Sequence, residues 1–348
     1  MSSPSRAISA RATNRATLRN FLFLLCALFA APCLRAQIPT LAPPQPPPPP
    51  GANAGQKGDQ SHGIRVSTDL VVLHATVMDE RGQFVPGLKL PNFRVFEDKV
   101  EQKISAFAGE DIPLTVGLVI DNSGSMREKR AQVNAAALAF VRTSNPQDEV
   151  FVVNFNDEYY LDLMEDFTND QRELNEALSR IDSRGSTALF DAVIGSLDHL
   201  KKGHKDKRVL LVITDGDDDA SRKTLAYAVQ AAQQSDAQIY AIGVFSDEDR
   251  KSSKKMIRKS KKELTEMTSV TGGAAYFPDT LEQVTAICTQ LAHDIRNQYT
   301  LGYYPTNTSK DGTFRNVQVQ LIPPKDRSSK LTVRTRTGYY AQKSSQGD

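Results

Sequence analysis

The stretch that decides the fold is "LTVGLVIDNSGSMREK", residues 114–129. A run of Val, Leu and Ile without polar alternation reads as a strand buried on both faces, the habit of a parallel sheet covered by helices. The run stops on Asp121, small hydroxyl residues follow at Ser123 and Ser125, and a helix-forming segment begins. In an open parallel sheet, functional groups gather just past the carboxyl ends of the strands, where strand order reverses. A carboxylate and two hydroxyls spaced two apart in an extended turn can converge on one point. All are hard oxygen donors, suited to magnesium, manganese or calcium.

Working outward, apolar strands alternate with amphipathic helices. Strands are expected over 113–121, 148–156, 208–216, 237–245 and 274–278, with helices near 128–143, 170–182, 188–202, 222–235, 255–270 and 280–297. Residues 159–167, polar at alternate places, fit an antiparallel edge strand. Before this unit, Val71, Leu73, Ala75 and Val77 share one face, a turn falls at Arg81-Gly82, and further strands lie around 93–97 and 102–107. After residue 298, "YTLGYYP", "RNVQVQLIP" and "KLTVRTRTGYY" return to period two and read as three strands. The fold class expected is α/β, a doubly wound and mostly parallel sheet, with a flanking β-sandwich closed by the N- and C-terminal segments. The divisions are an N-terminal β segment at 64–110, the α/β unit at 111–298 and a C-terminal β segment at 299–348.

Upstream, residues 1–20 carry four arginines and no acid, and "FLFLLCALFAA" follows. Residues 1–36 therefore read as an export signal cleaved after Ala36, with an uncleaved anchor or a lipidated Cys33 as alternatives. Residues 37–63 hold five consecutive prolines and then Gly, Asn, Gln and Ser, the composition of a disordered linker that cannot support a core. With that signal removed, the mature chain is expected to have no transmembrane span. Its destination is the periplasm, the outer cell surface or the medium.

With 43 Lys plus Arg against 41 Asp plus Glu, the chain has no global field to draw in nucleic acid. Two of the three cysteines fall in the export segment, and Cys288 reads as core. The five histidines are scattered without zinc-protease spacing, and no Gly-rich phosphate loop ends in Lys-Ser or Lys-Thr, so no enzyme signature is present. The basic run at 250–263 reads as a solvated helix face or as a binder of acidic polymer or lipid headgroups. Asp217, Asp218 and Asp219 read as solvated loop acids or as a second cation site.

An octahedral cation needs oxygens from more than one loop. "DSRGSTALFDAV" supplies Thr187, just after a glycine at 185, and "VLLVITDGDDD" supplies Asp215. The set is then two carboxylates and three hydroxyls.

In this order, "DNSGSM", Thr187 and "TDG" resemble the metal-ion-dependent adhesion site of the von Willebrand factor type A domain, over residues 111–298. The resemblance implies that Ser123, Ser125 and Thr187 bind the ion directly, and that Asp121 and Asp215 act chiefly through water. It further implies Mg2+, with Mn2+ or Ca2+ as alternatives, and a partner protein whose Asp or Glu completes the coordination. Asn122, Met126, Arg184 and Asp217 to Asp219 would form the selecting rim. The flanks are similar to exported, acidobacterial-type proteins related to these domains, a group that brings no defined activity. The expected function is an exported, metal-dependent adhesion module; the alternative is a structural envelope component in which the ion only stabilises the loops.

Overall fold

The computed structural model describes residues 70–109, 111–143, 145–180, 183–324 and 330–343. The export signal and Pro-rich linker expected over 1–63 lie outside the described residues. In chain order come β1 (Val71–Met78), β2 (Phe93–Glu97), β3 (Val100–Gln102) and β4 (Ile104–Ala108). The middle of the chain holds β5 (Leu114–Asp121), α1 (Arg130–Arg142), β6 (Glu149–Phe155), β7 (Tyr159–Leu161), α2 (Gln171–Ser179) and α3 (Leu189–Leu200). It continues through β8 (Lys207–Thr214), α4 (Leu225–Gln234), β9 (Gln238–Gly243), α5 (Asp247–Ser252), α6 (Lys254–Ser269), β10 (Ala275–Tyr276) and α7 (Glu282–Arg296). The last strands are β11 (Tyr299–Tyr303), β12 (Phe314–Leu321), β13 (Thr332–Arg334) and β14 (Gly338–Tyr340).

All eight residues of β5 are buried, as its unbroken apolar run requires of a central strand. Leu114, Val116, Leu118 and Ile120 pack on one face with side chains of α1, α2 and α7, and Val119 packs on the other with those of α3, α4 and α6. The six-stranded order is β10-β9-β8-β5-β6-β7, parallel throughout except for β7, which runs antiparallel to β6 at the edge. From β5 the chain steps to β6 on one side and later returns to β8 on the other. Strand order therefore reverses at the β5/β8 pair, the place where open α/β sheets carry their ligand sites.

The flanks close into two four-stranded antiparallel sheets, β13-β1-β11-β4 and β14-β12-β2-β3. Leu73 lies opposite Leu301 in the first and Val95 opposite Val319 in the second. These residues fill a separate core with Ala75, Val77, Phe93, Tyr299 and Tyr303. Glu97, 2% exposed, binds the sheets together: its Oε2 accepts the hydroxyls of Tyr303 and Tyr339, each at 2.8 Å. A second buried link joins sandwich to α/β unit, where Gln298 Nε2 donates to Thr76 Oγ1 at 2.7 Å and Tyr240 OH at 3.0 Å.

Two local expectations fail for identifiable reasons. "KLTVRTRTGYY" is not one strand: β13 pairs with β1, whereas β14 pairs with β12 in the other sheet. Between them the backbone is drawn across by the α/β unit. The Thr337 amide donates to the Val270 carbonyl at 3.2 Å, and Arg336 Nη1 reaches Asp236 at 3.1 Å. The short helix α5, absent from the sequence reading, starts from a capping box in which Ser246 Oγ accepts the Asp249 amide at 3.1 Å and Asp249 Oδ2 accepts the Ser246 amide at 2.8 Å. No helix of the described residues is long and apolar enough to cross a membrane.

Tyr303→Phe removes one of two donors to a buried carboxylate and is expected to destabilise the chain by about 1–3 kcal/mol, read by urea unfolding. An unchanged midpoint would refute the role given to the Glu97 link.

Candidate metal centre

Asp121 ends β5 with no exposed surface, so its carboxylate has to be met by donors. Oδ1 accepts the Ser123 amide at 2.9 Å, and Oδ2 accepts the hydroxyl of Thr214, the last residue of β8, at 2.6 Å. The Thr214 oxygen in turn accepts the Gly216 amide at 2.8 Å. One side chain thus fixes the first loop against the third. Ser123 is 1% exposed, with its Oγ 3.1 Å from that of Ser125, which is exposed.

The second loop is tied to both others. Gly124 donates its amide to the Gly185 carbonyl at 3.2 Å. Gly185 has φ +75°, and a Cβ there would lie 2.2 Å from Asp157 Oδ2, so only glycine fits. Asp157 also accepts the Ser186 amide at 2.7 Å. Thr187 is 5% exposed; its amide donates to Asp219 Oδ1 at 2.7 Å, and its carbonyl accepts the amides of Asp219 and Ala220 at 3.1 Å each. First, second and third loops are therefore linked by hydrogen bonds that pass through Asp121, Ser123 and Thr187, while Ser125 meets the Ser123 hydroxyl and Asp215 follows Thr214 in the third loop.

Asp215 is 3% exposed. Its Oδ2 accepts the Lys129 ammonium at 3.3 Å, while its Oδ1 is buried with no partner. Burial and then the charge of Asp215 push the Asp121 carboxyl up to about 6. Two neighbouring buried carboxylates and an orphaned acceptor are what a divalent cation would relieve. Among the described residues no three His, Cys, Asp or Glu side chains cluster as a metal site. A cation here would depend on hydroxyls, water and two carboxylates, a donor set that fits a hard ion.

Parts of the expected rim are corrected. Met126 has no exposure and packs in the core, because the 3-10 turn at Gly124–Met126 points it inward. Asn122 is 5% exposed and accepts the Ser183 hydroxyl at 3.1 Å, so it braces the loop from within. Arg184 is exposed. Asp218 accepts the Ser221 hydroxyl at 2.6 Å and the Phe190 amide at 3.3 Å, supplying from outside the cap that Ala188 cannot give α3. With Asp219 on the Thr187 amide, these acids serve the second loop. Asp217 pairs with Lys259 at 3.9 Å.

Lys129 and Asp157 escaped the sequence reading, and Asp219, read there as a rim residue, a solvated loop acid or part of a second cation site, instead holds the Thr187 amide. Lys129 is 3% exposed and sits where a cation before a helix reads as solvated. Away from the site, Cys288 is fully buried and its thiol is pushed up to about 12 by burial, which keeps it protonated. His74 is held neutral by burial and by Lys207 and Arg336, which bring it down to about 3.

Because the folded chain raises the Asp121 carboxyl, folding favours its protonated form. That stabilisation is complete below the ordinary carboxylate range and is lost as pH rises through about 6. In chelator, the unfolding free energy of wild type relative to Asp121→Asn is expected to fall between about pH 4 and about pH 7. A difference independent of pH would contradict it.

The sequence profile of the von Willebrand factor type A domain matches residues 116–217. A search of curated proteins finds no match. Among solved structures, the chain is similar to a von Willebrand factor type A protein from Catenulispora acidiphila, at 13% identity and TM-score 0.47, covering 80% of this chain and 75% of that one. It is also similar to the PilB minor pilin from Streptococcus sanguinis, at 14% identity and TM-score 0.44, covering 54% and 62%. A third is the vWF domain of the type V pili tip protein Mfa5 from Porphyromonas gingivalis, at 12% identity and TM-score 0.43, covering 53% and 95%. The stretch that matches the von Willebrand factor type A profile therefore runs from within β5 through the loop that carries Asp215.

Proposed function

We propose that the chain is an exported, non-enzymatic binding module that holds a divalent cation past the ends of β5 and β8 and uses it to capture an Asp or Glu of a partner protein. The observation that carries this reading is the unpaired, buried Oδ1 of Asp215 near the buried Asp121 carboxylate. An orphaned acceptor costs stability unless something fills its lone pairs. Ser123, Ser125 and Thr187 would hold the ion directly, with Asp121 and Asp215 acting through water. Magnesium is the first choice, with manganese or calcium as alternatives. When bound, the ion would offer an electrophilic position to an incoming carboxylate.

The chain's own residues do the positioning. Asp121 locks Ser123 and Thr214, and Asp219 with Asp157 presents Thr187. Because these links run through protein groups alone, an ion has little bracing left to supply. That favours ligand capture over a structural envelope role in which the ion only stiffens the loops. Catalysis has no support here: the Ser123 and Ser125 hydroxyls face each other, and no histidine is among their described partners. Export rests on the character of residues 1–36.

Wild type is expected to bind one Mn2+ or Mg2+ by calorimetry, and Ser123→Ala or Thr187→Ala to weaken it about 10-fold or more with the fold intact by circular dichroism. In pull-downs from envelope and secreted fractions, a partner should be retained in magnesium, lost in chelator and lost with Asp215→Ala. Binding indifferent to metal and to all three substitutions would overturn the reading.

A further inference from the structure

The Lys129 ammonium is enclosed beneath the metal centre, its side chain 4% exposed. It donates to Asp249 Oδ2 at 3.0 Å, the Val244 carbonyl at 3.2 Å and Asp215 Oδ2 at 3.3 Å. Three acceptors account for all three N–H bonds of an ammonium, so this is a fixed cation without water of its own. Its two anionic partners belong to different parts of the fold. Asp215 lies on the third loop of the site, and Asp249 lies in the capping box of α5.

Resting on the reading of this site as a cation site, we propose that Lys129 is a resident counter-ion that competes with the divalent metal for Asp215, and that Asp249 sets how strongly it competes. The chemistry follows from charge and from lone pairs. A fixed positive charge beside a metal site repels an incoming cation, and more so in a buried setting than in water. By holding Oδ2, Lys129 also leaves Asp215 only Oδ1 to offer, so this carboxylate cannot grip an ion with both oxygens. The site is thereby kept from saturating the metal with protein charge, which preserves the ion's appetite for a partner's carboxylate. Asp249 moderates the effect. By drawing the ammonium toward α5, it weakens the hold on Asp215, consistent with the shorter of the two contacts being to Asp249.

Two substitutions are expected to act in opposite directions. Lys129→Met releases Asp215 and removes the repulsion, and metal binding should tighten by about 10-fold. Asp249→Asn leaves Asp215 as the ammonium's one anionic partner among the described contacts, and metal binding should weaken. A merely structural role for either side chain would loosen the site in both variants, so both would weaken. The test uses the full chain with Mn2+ as the probe, titrated by electron paramagnetic resonance of free Mn2+, with thermal unfolding in chelator and in Mn2+ as a second readout. Lys129→Met should lose stability in chelator, where two carboxylates face each other uncompensated, and should gain more than wild type when Mn2+ is added.

Opposite shifts in affinity, with the larger Mn2+ rescue in Lys129→Met, support the proposal. Shifts in the same direction, or none, overturn it while leaving metal binding by wild type intact. Wild type that binds no Mn2+ overturns the cation-site reading and this proposal with it.

Discussion

The bond from Thr214 to Asp121 sets the frame for everything above it. Parallel strands that are apolar along their whole length specify their mutual register only weakly, since a slip exchanges one aliphatic residue for another. A buried carboxylate at the end of β5 removes that freedom. It needs a donor from β8 at one height, and Thr214 provides it, with Ile120 opposite Ile213 just below. The same carboxylate fixes the Ser123 amide, so the register of the sheet and the course of the first loop are settled by one side chain.

Polarity is concentrated at the two ends of the central sheet, and its middle is aliphatic. At the carboxyl end lie Asp121, Thr214, Asp215 and Lys129. At the amino end, Arg296 bridges Asp111 and Asp148, Lys207 reaches the Ile295 carbonyl, and Gln298 joins Thr76 to Tyr240. Buried polar groups of this kind hold only when paired, and they define one arrangement of neighbours. The amino end attaches the sandwich, at the opposite end of the sheet from the candidate site.

Much of this was legible in the sequence wherever local pattern and three-dimensional role coincide. The buried strand β5 and the half-buried strands β1 and β12 show the two periodicities expected of their settings. Asp121, Ser123, Ser125 and Asp215 stood out as hydroxyls and acids where apolar strands end, and Thr187 as a hydroxyl just after Gly185 at the start of a helix. What escaped notice depends on reach across the fold. Lys129 looks like any surface cation until its chain of methylenes is seen to run inward to Asp215 and Asp249. Met126 sits among rim residues in sequence yet turns into the core. The alternation of "KLTVRTRTGYY" persists through a change of sheet, because contacts to Val270 and Asp236, rather than its own pattern, bend it.

The sandwich also orders events in time. β1 faces β11 with Val71 opposite Tyr303, and the whole α/β unit lies between them in the chain. Neither flank can bury its apolar face until the other has been synthesised and brought back, and closing so long a loop is slow. The α/β unit, in which every strand pair but β5 with β8 joins successive strands of the chain, shortens that search by carrying the two flanks to the same end of its sheet. It therefore serves as the scaffold on which the sandwich is assembled, before any ligand is met.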